Sequence, residues 1–181
     1  MGRHPLTRRW LAAQPAVDGA RWTSGITLEA TVAGIGPLTL RAETDPLEAL
    51  RLGTYVGSCL SVRGLCDYSA VAVALDVNKQ VVYARNRRGS VIARQLLAVS
   101  EDDELIVFAV YPLSAPAAVK RLFARYDRAF ARELGLPIRT GAGGEEEYTI
   151  AEIISSKWWD DGAWRSGFLP AGRSNSPVAR H

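Results

Sequence analysis

Apolar and polar residues alternate along several short segments of this chain, and a period of two predicts β-strands. Residues 26–32 and 38–42 alternate in this way on either side of a turn with two glycines and a proline, so they predict a hairpin with one solvated face. Four further strands are predicted at residues 69–75, 80–85, 90–99 and 105–111. Residues 69–75 are apolar on both faces, which predicts a central strand that is covered on both sides.

A long amphipathic helix is predicted over residues 115–134. Its large apolar residues fall at helical spacing on one face, and most of its lysine and arginine residues lie opposite. Ser114 is predicted to cap the N-terminus of this helix, and Gly135 is predicted to end it. The aromatic residues of the apolar face are therefore interpreted as core packing.

Two shorter helices and one further strand complete the predicted elements. Asp45 followed by Pro46 marks a helix start, and Gly53 ends that helix about two turns later. Residues 6–13 predict a second short helix, and residues 148–154 predict another strand. The pattern as a whole predicts an α+β fold with a mixed, mostly antiparallel sheet of about six or seven strands, packed by two or three helices.

The length and composition of the chain favour a single domain. Of its 181 residues, 48% are hydrophobic and 23% are charged, which is usual for a folded domain, predicted here over residues 1–169. Residues 170–181 are predicted to be a disordered tail from their composition. No apolar run approaches the length of a membrane-spanning helix, so we expect no membrane association and a cytoplasmic location.

Histidine and the acidic residues limit the chemistry that we expect. The two histidines, His4 and His181, stand near the ends of the sequence, where an imidazole is not expected to be held rigidly beside a nucleophile or a metal ion. Residues 101–104 are four consecutive acids in a predicted turn and are interpreted as a solvated loop, so no metal site is predicted. The net charge of +3 is too small to identify a partner.

Part of the chain resembles a known enzyme family. Residues 81–94, two predicted strands joined by an Asn-Arg-Arg-Gly turn, resemble the central hairpin of the GNAT N-acyltransferase family. The strand at 105–112, the helix at 115–135 and the strand at 148–154 resemble that family's fourth strand, third helix and fifth strand. The resemblance lies in the pattern and order of elements and covers about residues 69–155.

The resemblance implies acyl-CoA binding against the splayed end of the fourth strand, with a small-molecule or peptide amine that attacks the thioester directly. Val110, Tyr111 and Ser114 are the candidate cofactor-binding residues, and Glu152 is the candidate base. Residues 112–118 contain no glycine, whereas the family has a glycine-rich pyrophosphate loop there. The resemblance therefore implies either an acyltransferase or a degenerate relative that still binds an acyl-CoA or pantetheine-like ligand.

Four short motifs also resemble uncharacterised bacterial domains. These motifs are Cys-Leu-Ser at 59–61, Ser-Ala-Val at 69–71, Asp-Val-Asn-Lys at 76–79 and Tyr-Ala-Arg at 83–85. This second resemblance implies no activity.

A non-catalytic binding module is the alternative function. Arg85, Arg87 and Arg88 at one predicted turn are candidate contacts for nucleic acid or for a protein partner. Trp158 and Trp159 belong to a tryptophan-rich segment that is typical of a recognition patch.

A cysteine-nucleophile enzyme is the second alternative. Cys59 lies in an irregular Gly-Ser-Cys segment, in which backbone amides could stabilise a thiolate. The structural interpretation is that Cys59 and Cys66 are two buried small hydrophobic residues, because they are too few for a disulfide framework and lack the further ligands of a zinc site.

Overall fold

The structure, a computed structural model, describes residues 4–140, 148–155 and Trp158, and has five helices and six strands within them. The helices are α1 (Pro5–Ala13), α2 (Gly19–Ser24), α3 (Pro46–Ala49), α4 (Tyr68–Leu75) and α5 (Ala117–Leu134). The strands are β1 (Thr27–Val32), β2 (Gly36–Ala42), β3 (Lys79–Asn86), β4 (Val91–Val99), β5 (Leu105–Tyr111) and β6 (Ile138–Thr140). The tail predicted at residues 170–181 lies outside the described residues.

The six strands form one sheet whose order follows the sequence, from β1 to β6. All neighbouring pairs are antiparallel except β5 and β6, which run parallel through three residue pairs. The hairpin between β3 and β4 turns at Gly89, whose φ of 79° suits a glycine at this position. The predicted α+β fold with a mixed, mostly antiparallel sheet is therefore confirmed.

Both faces of the sheet are covered. One face packs against α5, whose Phe123 and Phe130 are fully buried. The opposite face packs against α4 and against Tyr148, Ile150 and Trp158. These three belong to the C-terminal segment, the name that we use for residues 148–155 and Trp158. Because successive side chains of a strand point to opposite faces, this double cover explains why nearly every position of β3, β4 and β5 is at least partly buried, and why β5 and most of β4 are apolar.

The long helix α5 matches its prediction except at its N-terminus. Gly135 adopts the left-handed conformation (φ 70°) and ends the helix as predicted. The helix begins at Ala117, however, and the Ser114 side chain does not cap it. A proline disfavours the helical conformation of the residue before it, so Pro116 prevents Ala115 from being helical and moves the helix start beyond the reach of Ser114. Among the described helices, none is long and apolar enough to cross a membrane.

The strand predicted at residues 69–75 is wrong, because this segment is the helix α4. A short run that is apolar on both faces fits a buried helix as well as a buried strand, and its three alanines favour the helix. Most of α4 is buried against the sheet, but Val71 and Leu75, one turn apart, remain 44% and 41% exposed.

The strand predicted at residues 148–154 is also wrong. These residues form no strand. They are an irregular segment in which Tyr148 and Ile150 belong to the α4-side cluster, while Ala151 and Ile153 pack against the α5-side cluster. The strand that follows α5 is β6 at residues 138–140, which pairs with β5.

The connection between α3 and α4 depends on a close backbone contact. Asp45 caps α3 as predicted, because its Oδ1 accepts a hydrogen bond of 2.8 Å from Leu47 N. Turns follow α3 directly, and a Cβ atom on Gly53 would lie 2.0 Å from the carbonyl carbon of Leu60. Only glycine allows this approach, which places the loop that carries Ser58 and Cys59 over the end of the sheet.

Candidate functional site

A β-bulge interrupts the ladder between β4 and β5. Gln95 faces Val110 and Leu97 faces Val107, so two residues of β5 lie opposite the single residue Leu96 of β4. At the bulge, the side chain of Gln95 supplies a donor in place of the backbone, because its Nε2 donates a hydrogen bond of 2.9 Å to the carbonyl oxygen of Phe108. The extra residue changes the alternation of β5, so Val110 packs on the α5 side.

A buried arginine joins the end of β5 to the loop that precedes α4. The Arg94 side chain is fully buried, and its guanidinium carbon lies 4.4 Å from the centre of the Tyr111 ring. Its Nη2 donates a hydrogen bond of 3.1 Å to Ser58 Oγ, and the next residue, Cys59, is exposed. The interpretation of Cys59 as a buried hydrophobic residue is therefore wrong. The structure brings the loop of Cys59 and the ring of Tyr111 to the same end of the sheet.

The N-terminus of α5 lies beside this end of β5 and carries positive charge. The first intrahelical bonds run from Val119 N and Lys120 N to Pro116 O, so the amides of Ala117 and Ala118 precede them. The first turn contains no acidic residue to balance the positive end of the helix dipole. Lys120 adds a cation, and its Nζ donates a hydrogen bond of 2.7 Å to Leu113 O. Ser114 is exposed in the same loop.

Arg85, a predicted partner contact, instead forms ion pairs within the protein. Its Nη2 lies 2.8 Å from Glu43 Oε2 and 3.1 Å from Glu48 Oε2, and its guanidinium stacks 4.9 Å from the centre of the Tyr83 ring. The Tyr55 hydroxyl donates to Glu48 Oε2 at 2.7 Å, and this bond together with Arg85 holds the pKa of Glu48 below its ordinary value. Arg85 therefore joins the turn after β2 and helix α3 to β3.

The remaining predicted partner contacts divide between surface and core. Arg87 and Arg88 are exposed on the turn between β3 and β4. Trp158 is 3% exposed and packs edge-on against Phe108, with the ring centres 5.5 Å apart, so it is a core residue and no recognition surface. Trp159 lies outside the described residues. The nucleic-acid or protein-partner hypothesis thus depends on Arg87 and Arg88.

A buried ion pair anchors the C-terminal segment to the sheet. The Asp76 carboxylate and the Lys79 ammonium, both with fully buried side chains, are 2.8 Å apart. Asp76 also accepts hydrogen bonds from the backbone N–H of Ile153 and Ile154 and from both the N–H and the hydroxyl of Ser155. The Lys79 Nζ donates to Ala151 O at 2.7 Å. The Asp76 carboxylate therefore accepts from five donors, which are the Lys79 ammonium, three backbone N–H groups and the Ser155 hydroxyl.

These contacts determine how the pair is charged. Burial alone would raise the pKa of Asp76, but Lys79 and the hydrogen bonds from Ser155 outweigh burial and hold this pKa below its ordinary value. Burial lowers the pKa of Lys79, while the Asp76 carboxylate opposes that effect. The Lys79 ammonium also lies 5.1 Å from the centre of the Trp158 ring, so a cation–π contact completes its surroundings.

Glu152, the candidate base, lies far from the bulged end of β5. It is exposed, and the carbonyl of its chain neighbour Ala151 binds Lys79 at the start of β3. Strands β3 and β5 are each antiparallel to β4 and so run in the same direction. The start of β3 and the end of β5 are therefore at opposite ends of the sheet, and the structure does not bring Glu152 to Tyr111.

A buried acid beneath the bulge was not predicted. Asp127 of α5 is 5% exposed, and its Oδ2 accepts a hydrogen bond of 3.2 Å from Gln95 Nε2. Burial is the largest influence on this carboxyl and raises its pKa to about 7. Within the described part of the chain, Asp127 Oδ1 and Gln95 Oε1 have no hydrogen-bond donor.

The sequence does contain a signal for the residues that were missed. Arg94 and Gln95 interrupt an otherwise apolar strand, and Asp127 follows Tyr126 within the apolar face of α5. Polar residues at such positions are buried, and buried polar groups require partners. In the described ranges, no group of three His, Cys, Asp or Glu side chains is placed to hold a metal ion.

Comparisons with protein-family models, with curated proteins and with solved structures find no match to this chain. The function is therefore inferred from the geometry of the chain itself.

Proposed function

We propose that the protein binds an acyl-CoA or a pantetheine-like thioester at the bulged end of β5, as a GNAT-type N-acyltransferase or as a degenerate relative that retains the binding step. The observation that carries this proposal is the bulge of β5 beside the unbalanced positive N-terminus of α5. A bulge re-aims side chains and frees backbone groups, and bulges are common next to active sites.

The order of elements supports this proposal. Three antiparallel strands, β3 to β5, are followed by the crossover helix α5 and by β6, which is parallel to β5. The resemblance to the GNAT family implies the same order, with β5 as the fourth strand and α5 as the third helix. The fifth strand corresponds to β6 and not to residues 148–154. Val110 and Tyr111 occupy the end of β5 that the resemblance assigns to the thioester.

The charge at the N-terminus of α5 suits the phosphates of such a ligand. The unpaired amides of a helix N-terminus and its dipole both favour an anion. Lys120 supplies a cation at this end, so the missing glycine-rich loop is compensated by charge rather than by a close backbone approach. We assign Lys120 to phosphate binding and Tyr111 to the wall of the thioester site.

The transfer step uses the chemistry of the thioester. The amine nitrogen attacks the carbonyl carbon, the C–S bond breaks, the thiolate leaves, and the amine gives up a proton to water or a base. Glu152 is too far along the sheet to be that base. Cys59 offers a second route, in which its sulfur accepts the acyl group, because its loop contacts Arg94 beside Tyr111.

Acetyl-CoA is expected to stabilise the protein against unfolding. At one hundred times its Kd, a ligand that binds only the native state adds about 2.7 kcal/mol to the free energy of unfolding. Lys120→Glu is expected to weaken binding by about tenfold or more, because the substitution places a carboxylate beside the phosphates. The measurement is thermal unfolding with acetyl-CoA and with desulfo-CoA.

Arg132→Glu is the matched control, because this residue is an exposed cation at the other end of the same helix. It should bind acetyl-CoA as the wild-type protein does. No stabilisation of the wild-type protein at millimolar acetyl-CoA, or equal losses in the two variants, contradicts the proposal. Release of free thiol from acetyl-CoA in the presence of an amine, compared between wild type and Cys59→Ser, separates transfer from binding alone.

A further inference from the structure

The outer edge of β1 is open. Within the described residues β1 pairs with β2 only, and it stands at the end of the strand order. A strand in this position presents unpaired N–H and C=O groups along its free side, which another extended chain can pair with. With six residues, β1 is long enough to accept a further strand.

A groove runs between this edge and the helix α5. Its volume is about 270 Å³, and its lining consists of residues 30–33 of the strand side and of Ala118, Arg121, Leu122 and Arg125 of α5. Leu122 and Val32 are buried and form an apolar floor. The small side chains of Ala30 and Ala118 leave room for a side chain from a bound segment.

The two arginines give the groove its charge. Arg121 and Arg125 are one helical turn apart and exposed, and within the described part of the chain neither side chain forms a hydrogen bond or an ion pair. Among the residues that the structure describes, no carboxylate lines the groove. Glu29 alternates with Leu28 and Ala30, which pack on the α5 side, so it lies on the other face of β1.

We infer that this groove binds an extended acidic peptide segment, which adds to β1 as a seventh strand. The strand edge supplies main-chain hydrogen bonds, and the apolar floor accepts alternate side chains of the added strand. Arg121 and Arg125 bind carboxylates among the side chains of the added strand that point toward α5, because both arginines lie on that helix and face the groove. This interaction is independent of acyl-CoA binding, since it uses the β1 edge and neither Lys120 nor β5.

The test uses a fluorescein-labelled ten-residue peptide in which every second residue is threonine and the residues between are valine and glutamate in turn, so that valine and glutamate share one face of the added strand. Its binding is followed by fluorescence anisotropy. Arg121→Glu combined with Arg125→Glu is expected to weaken binding by about tenfold or more. Arg128→Glu combined with Arg132→Glu has the same spacing and charge change on the same helix but lies outside this groove. This control is expected to change the Kd by no more than about twofold.

Two altered probes separate strand addition from general charge attraction. A peptide with N-methylated amides on alternate residues keeps its charge and loses main-chain donors, so we expect it to bind about tenfold more weakly. Equal binding of the methylated and unmethylated peptides, or equal losses in the two double variants, overturns the inference. Equal competition by a single-stranded oligonucleotide of the same charge also overturns it, because a nucleic acid cannot extend the sheet.

Discussion

Replacing Asp76 with alanine is expected to lower the free energy of unfolding by about 3–5 kcal/mol, because removing one partner of a buried ion pair leaves the other charge uncompensated. Lys79 would keep its fully buried ammonium without a counter-ion. The backbone N–H groups of Ile154 and Ser155 would also lose the acceptor that they share. Urea unfolding at pH 7 measures the loss.

Two controls define this result. Asp67→Ala changes an exposed aspartate at the start of α4 whose side chain makes no capping hydrogen bond, so its effect should stay within about 0.5 kcal/mol. The double variant Asp76→Ala with Lys79→Ala should lose less than the sum of the single variants, because neither charge is then left alone. A loss below about 1 kcal/mol for Asp76→Ala contradicts the assignment of the pair.

The same pair predicts the behaviour of the protein in acid. The pKa of Asp76 is lower in the folded protein than in the unfolded chain, so its contribution is present above the unfolded value. The contribution is lost as the pH falls through the folded pKa. Asp76→Ala should therefore lose less stability to acid than the wild-type protein does.

Replacing Asp127 with asparagine is expected to raise the free energy of unfolding at pH 8 by up to about 4 kcal/mol, because a pKa difference of about three units is worth that amount. The carboxyl has a pKa of about 7 in the folded protein and an ordinary value of 3.8. The native state therefore binds this proton more tightly than the unfolded chain does. Its contribution is present below about pH 4 and is lost as the pH rises to about 7.

The measurement is a series of urea unfolding curves for wild type and Asp127→Asn between pH 5 and pH 8. The wild-type protein should lose stability across this range, and the variant should show a weaker dependence on pH. Asp102→Asn, which changes an exposed aspartate on the turn after β4, should keep the wild-type profile. Parallel profiles for wild type and Asp127→Asn would falsify the raised pKa.

The strands β3 to β5 and the helix α5 could be predicted because their signals are local. Alternation, turn residues and helical spacing all lie within short windows. As predicted, Gly89 lies in the turn between β3 and β4, and Gly135 ends α5. The strand prediction for residues 69–75 was wrong because an apolar run of this length fits a buried helix as well as a buried strand. The strand prediction for residues 148–154 was wrong because the conformation of this segment depends on hydrogen bonds to Asp76, which precedes Ser155 by 79 residues.

The candidate site was harder to predict, because a residue type does not reveal its partner. Arginine and tryptophan are common in recognition surfaces, but neither Arg85 nor Trp158 has that role here. Arg85 forms ion pairs with Glu43 and Glu48, and Trp158 is buried against the sheet. The bulge in β5 leaves no local sequence signal, and it decides which face Val110 joins. The placement of Arg94 beside Tyr111 follows from strand pairing, which a single sequence specifies only through long-range packing.

The large sequence separation between Asp76 and its hydrogen-bond donors has a consequence for synthesis on the ribosome. Asp76 and the three central strands are synthesised first, and the backbone donors of residues 153–155 follow Asp76 by 77–79 positions. Until then the carboxylate and the ammonium retain their water, and the apolar side that Trp158 covers stays uncovered. The apolar side of the sheet that Trp158 covers therefore stays open in the nascent chain until Trp158 has left the ribosome.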